Sequence, residues 1–248
     1  MTYQAKRLTM ALVLAVFAGA WAAEFVAAQD FLFGRPSVTV GVRFGYALPR
    51  AEGEIFDFTR DELTIDKADF NSAAFGLDLG VRLSDRLDLS AGIGYENSEI
   101  DSEFRDFIGD DDLPILQTTS FERVPFTLGL KAYLTERGRR ISDLAWIPAK
   151  WAPFVGGGVG VVWYEFEQHG EFVDYETLDI FFDRFTSSSG SVLGYATAGF
   201  DYSLGLRWIF TAEARYSWAS ADMGDDFFGF DPIDLTGLRA ALGFSLRL

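Results

Sequence analysis

The feature of this chain that most restricts its fold is an alternation of apolar residues with small or polar ones, which recurs in eight runs. In the run at residues 238–248, Leu238, Phe244 and Leu248 share one parity, whereas Gly243 has the other. Successive side chains of a β-strand point to opposite faces, so such a run predicts a strand with one apolar face. A soluble sheet can show the same alternation, so the pattern alone does not decide between water and lipid.

The eight runs are long enough to cross a membrane, because a tilted strand needs only about 9–11 residues. In the first run, Val40 and Phe44 alternate with Gly41 and Arg43. The predicted strands are residues 37–48, 73–83, 87–98, 121–134, 152–167, 194–204, 207–217 and 238–248.

The amino-terminal residues predict export from the cytoplasm. Lys6 and Arg7 form a positive region, residues 8–20 form an apolar stretch, and residues 26–28 form a cleavage site of the kind that a signal peptidase reads. A retained transmembrane helix is the alternative interpretation. Glu24 interrupts the apolar run before it reaches about 20 residues, which favours a cleaved signal peptide.

We expect cleavage after Ala28, with Ala22 or Ala23 as the alternative site, which divides the chain into a signal peptide at residues 1–28 and a barrel domain at residues 29–248. Because the leader carries two basic residues and one acidic residue, its removal changes the formal net charge from −16 to −17. Nucleic-acid binding needs clustered Lys and Arg, so we expect no nucleic-acid partner. The absence of Cys excludes a disulfide and a lipidated cysteine.

The composition agrees with a membrane barrel. Aromatic residues make up 16% of the chain, and aromatic side chains suit the two interfacial belts of such a barrel. The 25 glycines allow inward positions to stay small in a narrow lumen.

The connections between the predicted strands alternate in length. Long connections face outward in outer-membrane barrels, so the short ones and both termini are expected on the periplasmic side. The expected periplasmic connections are residues 84–86, 135–150 and 205–206, and the expected outer ones are residues 49–71, 99–120, 168–191 and 219–235. The connection at residues 135–150 is unusually long for a periplasmic turn.

Several segments of the sequence resemble those of the eight-stranded outer-membrane barrels of the OmpA transmembrane-domain and OmpX type. They are VPFTLGLKAYL at residues 124–134, PFVGGGVG at 153–160, AGFDY at 198–202 and EARY at 213–216. The resemblance covers essentially all of residues 29–248. It implies an all-β, antiparallel, up-and-down transmembrane barrel in contact with outer-membrane lipids and lipopolysaccharide. It also implies a carboxyl-terminal strand that the barrel-assembly machinery reads, although many such strands end in Phe and this one ends in Leu248.

The inward parity of the predicted strands carries charges of both signs. Eight strands leave an interior that side chains just fill, so these charges are expected to pair across the lumen. Opposite charges on neighbouring strands, such as Glu213 and Arg239, are candidate partners. A polar path for small ions is the alternative. The residues are Arg43, Asp78, Arg82, Asp88, Glu96, Arg123, Lys131, Asp201, Glu213, Arg215, Arg239 and Arg247.

Two of the expected outer loops combine carboxylates with aromatic rings. Carboxylate oxygens could hold Ca²⁺ or Mg²⁺, and exposed rings could bind a surface partner. Solvated loop charge and packing between loops are the alternatives. The candidate binding residues are Phe104, Phe107, Asp110, Asp111, Asp112, Asp225, Asp226, Phe227 and Phe228.

Candidate catalytic chemistry is sparse. Outer-membrane lipid hydrolases hold a His beside a Ser, and here His169 shares an expected loop with Ser187, Ser188 and Ser189. A surface His is the simpler interpretation. We therefore expect a monomeric, non-enzymatic barrel without cofactor, with a structural or cell-surface interaction role. A narrow channel for small ions or solutes is the alternative, and a lipid hydrolase is a third.

Overall fold

A computed structural model of the protein describes Leu32 and residues 34–109, 112–142 and 145–248. The predicted signal peptide lies outside these residues. The barrel strands are β1 (Val38–Pro49), β2 (Ser72–Arg82), β3 (Leu87–Ile108), β4 (Pro114–Tyr133), β7 (Trp151–Val173), β8 (Ile180–Ser203), β9 (Trp208–Trp218) and β12 (Gly237–Arg247). Two small hairpins are formed by β5 (Gly138–Ser142) with β6 (Ala145–Pro148) and by β10 (Ser220–Ala221) with β11 (Ile233–Asp234).

The eight barrel strands form one closed antiparallel ring, in the order β1-β2-β3-β4-β7-β8-β9-β12. The ring closes between the first and last strands, where pairing runs from Thr39 with Arg247 to Pro49 with Gly237. Closure leaves no unpaired edge within the ring. The predicted all-β, up-and-down barrel is confirmed.

The two faces of each strand differ as their alternation predicts. On the outward face, Phe44, Leu128 and Val159 are 51%, 46% and 63% exposed, whereas inward Arg43 and Thr127 are buried. A continuous belt of exposed large apolar side chains is unfavourable in water and is the surface that lipid covers.

Aromatic side chains border this apolar belt at both ends. Trp151 packs near the periplasmic border with ring centroids 5.0 Å from Phe200 and 4.8 Å from Tyr202. Tyr95 and Trp163 lie at the outer border, where the next outward residues along their strands are polar. Amphipathic rings favour the membrane–water interface, so these two borders mark the limits of the bilayer.

Two hairpins are longer than the sequence predicted, and this corrects the loops expected at residues 99–120 and 168–191. β3–β4 and β7–β8 continue well past the apolar belt. Their outward residues change there from apolar to polar, and the sequence pattern therefore looked like a loop. We call this four-stranded part, residues 97–108, 114–122, 165–173 and 180–188, the projecting sheet.

The connection between β1 and β2 folds back over the outer mouth of the ring. It contains helix α1 (Glu54–Glu62), which begins after Gly53 at φ 106°, and a 3-10 helix at Lys67–Phe70. Phe56 of α1 is fully buried, with ring centroids 5.5 Å from Phe121 of β4 and 6.0 Å from Phe166 of β7. These contacts form a hydrophobic core outside the membrane, against the inner face of the projecting sheet. No helix in the described part of the chain has the length and apolar character needed to cross a bilayer.

The apolar belt predicts a dependence of stability on depth. Leu128→Arg, at the middle outward position of β4, should lower the free energy of unfolding by about 2–4 kcal/mol, whereas Val124→Arg at the outer border should lower it by about 0–1 kcal/mol. Reversible urea unfolding in lipid vesicles measures both. Equal losses for the two variants would contradict the position assigned to the belt.

Candidate functional site

Most of the charged inward residues form ion pairs in the lumen, some between strands and one within a strand. Arg43 of β1 lies 3.0 Å from Asp78 of β2, measured from Nε to Oδ2. On β9, Arg215 and Glu213 are paired at 3.1 Å between Nη2 and Oε1. All four side chains are largely buried, so each charge depends on its partner in place of water.

Glu96 holds two arginines, and this corrects the partner expected for Arg239. Its carboxylate lies 2.7 Å from Arg123 Nη2 and 3.8 Å from Arg239 Nη1. The sequence suggested Glu213 as the partner of Arg239 because they lie on neighbouring strands. On those strands Arg239 faces Arg215, whereas Glu213 faces Ala241, so Arg239 pairs with a residue of β3.

A second set of polar groups converges on Asp201 of β8. Its carboxylate accepts hydrogen bonds from Lys131 Nζ at 3.1 Å, from Tyr133 Oη at 2.8 Å and from Thr211 Oγ1 at 2.8 Å. Lys131 also lies 3.6 Å from the ring centroid of Phe154. Asp201 therefore joins three strands across the periplasmic half of the lumen.

The long connection at residues 135–150 closes the periplasmic end of the barrel. Its β5–β6 hairpin places Trp146, which is 3% exposed, between Arg82 and Arg247, whose guanidinium carbons lie 5.3 Å and 5.7 Å from its ring centroid. The backbone of Trp146 also exchanges hydrogen bonds of 3.0 and 3.1 Å with Leu32.

Arg137 fixes the base of this hairpin. It lies 2.7 Å from Asp88 Oδ2 and donates to the carbonyls of Ser84 at 2.9 Å and Asp85 at 3.3 Å. The sequence analysis missed Arg137 and Trp146 as lumen residues. The available signal was an overlong periplasmic connection that carries a tryptophan and arginines.

Two small spaces lie between the lumenal side chains. A cavity of about 20 Å³ lies near Arg82, Asp88 and Arg247, and one of about 10 Å³ lies near Arg43 and Arg239. A single water needs roughly 10–15 Å³, so each space holds about one water.

The predicted loop-binding residues differ in their exposure to solvent. Phe227 is 5% exposed in the outer hydrophobic core, so it packs between loops, and Phe104 packs against the same core. Phe107 is half-buried, with its ring 5.9 Å from that of Tyr175. The exposed members are Phe228, Asp112, Asp225 and Asp226, whereas Asp110 and Asp111 lie outside the described residues.

The structure does not bring the candidate hydrolase residues together. His169 lies on the outward face of β7 opposite Arg184, whereas Ser187 is buried and shares a 2.8 Å hydrogen bond with Tyr164 Oη. Ser188 is four residues along β8 from Arg184, or roughly 13 Å at 3.3 Å per residue. Within the described ranges, no three His, Asp or Glu side chains form a group that could hold a metal ion.

The outward face of the projecting sheet is acidic. One cross-strand row joins Asn97, Glu122, Glu165 and Ser188, and the next joins Glu99, Ser120, Glu167 and Thr186. The third row contains Asp101, Thr118, His169 and Arg184, and the fourth contains Glu103, Leu116, Glu171 and Phe182. The sequence signal for this face was weak, because most outward residues beyond the apolar belt are polar.

Contacts outside the membrane tie the outer connections to this sheet. Tyr175, in the turn between β7 and β8, donates a 2.7 Å hydrogen bond to Glu62 of α1. Partial burial and this neighbouring carboxylate raise the pKa of Tyr175 above its usual value. Thr64 Oγ1 accepts a 2.9 Å hydrogen bond from the backbone N–H of Glu103.

Removing the charge of Glu96 should destabilise the barrel strongly. Glu96→Gln leaves Arg123 and Arg239 buried without their carboxylate, at a cost of about 3–5 kcal/mol in unfolding free energy. Glu99→Gln, on the exposed face of the same strand, should change it by less than about 0.5 kcal/mol. Urea titrations of both variants decide the matter, and similar values would show that the Glu96 ion pairs contribute nothing.

Trp146→Ala should release the β5–β6 hairpin from the lumen. The substitution removes the packing of a fully enclosed ring, typically about 3–5 kcal/mol, so tryptic cleavage at Arg139 and Arg140 should accelerate. Ile141→Ala, at a position 60% exposed, is the matched control and should be cleaved at the wild-type rate. An unchanged cleavage rate in Trp146→Ala would contradict the role of the ring in holding the hairpin.

No family model and no curated protein matches the chain. Among solved structures, the chain is similar to OprG from Pseudomonas aeruginosa, with 16% identity, a TM-score of 0.48 and coverage of 88% of this chain and 99% of that one. Neisserial surface protein A matches with 9% identity, a TM-score of 0.46 and coverage of 85% and 97%. Ail of Yersinia pestis, in complex with the heparin analogue sucrose octasulfate, matches with 13% identity, a TM-score of 0.43 and coverage of 86% and 99%.

A closed ring of eight strands, with a continuous belt of exposed apolar side chains between two aromatic borders, is the architecture of a barrel that spans a membrane. The chain is an eight-stranded outer-membrane β-barrel.

Proposed function

We propose that this protein is a closed barrel with a structural and cell-surface interaction role, performed by the projecting sheet. The observation that carries the proposal is that side chains occupy the lumen at its periplasmic end, in its middle and at its outer end. Trp146 and Arg137 close the periplasmic end, ion pairs cross the middle, and the core around Phe56 covers the outer end.

The free energy needed to separate the buried ion pairs of the lumen supports a closed barrel. An ion could pass only if buried pairs such as Glu96–Arg123 and Lys131–Asp201 separated. Separating a buried pair exposes each charge to a poorly solvated site and typically costs about 3–5 kcal/mol per lost partner. With the cavities near Arg82 and Arg43 each large enough for about one water, conduction would require a different arrangement of the lumen.

The projecting sheet is the part of the molecule best suited to contact another surface. Its inner face is held by the hydrophobic core around Phe56 and Phe166, and its outer face carries exposed side chains such as Leu116 and Phe182. A surface held rigid in its binding geometry loses little conformational entropy when a partner binds. Binding at the sheet therefore needs no refolding of loops.

The other partners we propose follow from the barrel itself. The apolar belt would contact outer-membrane lipids, and its outer border would contact lipopolysaccharide. β12, which pairs with β1 and β9, would be the strand that the barrel-assembly machinery reads. The ring is complete within one chain, which supports a monomer.

Conductance recordings in planar bilayers test the closed lumen. We expect silence or brief small openings from the wild-type protein, with a general porin in the same bilayers as the positive control. Steady conductance on the scale of that porin would overturn the proposal and make a channel the leading function.

A further inference from the structure

The lumen carries more positive than negative charge. In the described part of the barrel, the inward charged residues of the eight strands and Arg137 supply eight basic and five acidic side chains. The chain as a whole is acidic, with a formal net charge of −16, so this local excess does not follow from its composition. A charge removed from water is unfavourable unless an opposite charge lies beside it, and the same holds for this excess.

The excess is concentrated at the periplasmic end of the lumen. Arg82 and Arg247 lie on either side of Trp146, and neither is within ion-pair distance of a carboxylate in the residues that the structure describes. Arg82 faces Asp88 in the β2–β3 register, but that carboxylate pairs with Arg137 at 2.7 Å. The face of an aromatic ring attracts a cation through its quadrupole and has no net charge, so Trp146 does not neutralise the two arginines.

The side-chain hydrogen bonds of Arg247 go to neutral groups. Arg247 is 7% exposed and donates to Ser203 Oγ at 2.7 Å and to the carbonyl of Leu206 at 3.1 Å. The Nε atom of Arg82 is buried, and no group in the described ranges accepts its hydrogen. Arg82 therefore has an unused donor as well as a charge without a counter-charge.

Both arginines line the cavity of about 20 Å³ described above. The charged residues around it are Arg82, Arg137, Arg247, Asp88 and Asp201. Each of the two carboxylates already has a basic partner, which is Arg137 at 2.7 Å for the first and Lys131 at 3.1 Å for the second. The surroundings of the cavity are therefore net positive.

The size of the cavity restricts what it can hold. A single water needs roughly 10–15 Å³, so the cavity admits a monatomic ion, whereas phosphate, sulfate and carboxylate-bearing molecules are too large. A water would donate to Asp88 Oδ1, which is also buried without a partner in the described ranges, but it would leave the excess charge in place. A monatomic anion satisfies the donor of Arg82 and reduces the excess charge as well.

We propose that a halide ion, chloride in the cell, binds in this cavity between Arg82 and Arg247. The ion accepts the hydrogen of Arg82 Nε and supplies the counter-charge that the carboxylates of the lumen do not. It is thereby part of the structure that closes the periplasmic end of the barrel around Trp146. The inference goes beyond the proposed surface role and does not depend on the projecting sheet.

Bromide in crystals of the barrel locates the site directly. Crystals grown in sodium bromide and measured at the bromine absorption edge should show an anomalous difference peak in the cavity lined by Arg82 and Arg247. Peaks confined to the protein surface, with a water in the cavity, would overturn the proposal.

The halide dependence of stability tests the same site in solution. Reversible urea unfolding in lipid vesicles is measured as sodium chloride replaces sodium gluconate at constant ionic strength, which keeps general screening constant. A ligand that binds only the folded state stabilises it by mass action, so above the dissociation constant each tenfold rise in chloride should raise the folded-to-unfolded ratio about tenfold. A ratio that does not change with chloride would contradict a bound halide.

Substitutions at the two arginines assign this dependence to the cavity. Arg82→Gln, or Arg247→Gln in a second variant, should reduce the chloride dependence to less than about twofold over the same range, because each removes one of the two charges without a carboxylate. In gluconate, Arg82→Gln should unfold at no less urea than wild type, since an unneutralised buried charge is lost. Arg207→Gln, at an exposed position of the same end, is the matched control and should keep the wild-type dependence. Equal chloride dependence in all three variants would place the effect elsewhere and overturn the proposal.

Discussion

The continuous backbone ladder that joins β1 to β12 is the constraint on which the rest of the structure depends. A bilayer offers no hydrogen bonds to backbone N–H and C=O groups, so a spanning sheet must close on itself. Eleven cross-strand positions, from Thr39 to Pro49, carry out this closure. With only eight strands, closure leaves an interior just wide enough for side chains, and Gly129 shows how little space remains, because a Cβ at that position would collide with Tyr195 Oη. The arginines and carboxylates of the lumen must therefore find partners within it.

Much of this architecture could be predicted from the sequence, because a period of two is a direct consequence of strand geometry. The inward and outward assignments of Arg43, Phe44, Thr127 and Leu128 follow from parity alone. The lengths of β3, β4, β7 and β8 could not be predicted in the same way. Beyond Tyr95 and Trp163 the outward residues face water, so the alternation there no longer contrasts apolar with polar side chains, although Phe121 and Phe166 continue it on the inner face.

Contacts across the lumen were harder to predict than the strands. Parity identifies which charges point inward, but the pairing of Glu96 with Arg239 joins β3 to β12 across the ring and depends on the stagger of the strands. The burial of Phe227 depends on the rings of Phe166 and Phe185, which lie on two other strands and which no local pattern connects to it. The position of Trp146 in the lumen was equally hard to predict. A large aromatic side chain can fill the end of a barrel, but only the folded hairpin shows that Arg82 and Arg247 lie on either side of this one.

The continuity of the long hairpins has a mechanical consequence. On the β4–β7 and β7–β8 ladders, the pairing passes from the projecting sheet into the membrane without a break at the aromatic border, for example from Glu122 with Glu165 to Val124 with Trp163 on the β4–β7 ladder. A force applied at the cell surface along these strands would therefore be carried as shear by many ladder hydrogen bonds at once, not by a flexible loop. The projecting sheet would therefore transmit a pulling force directly to the barrel, and the strands embedded in the membrane would resist it.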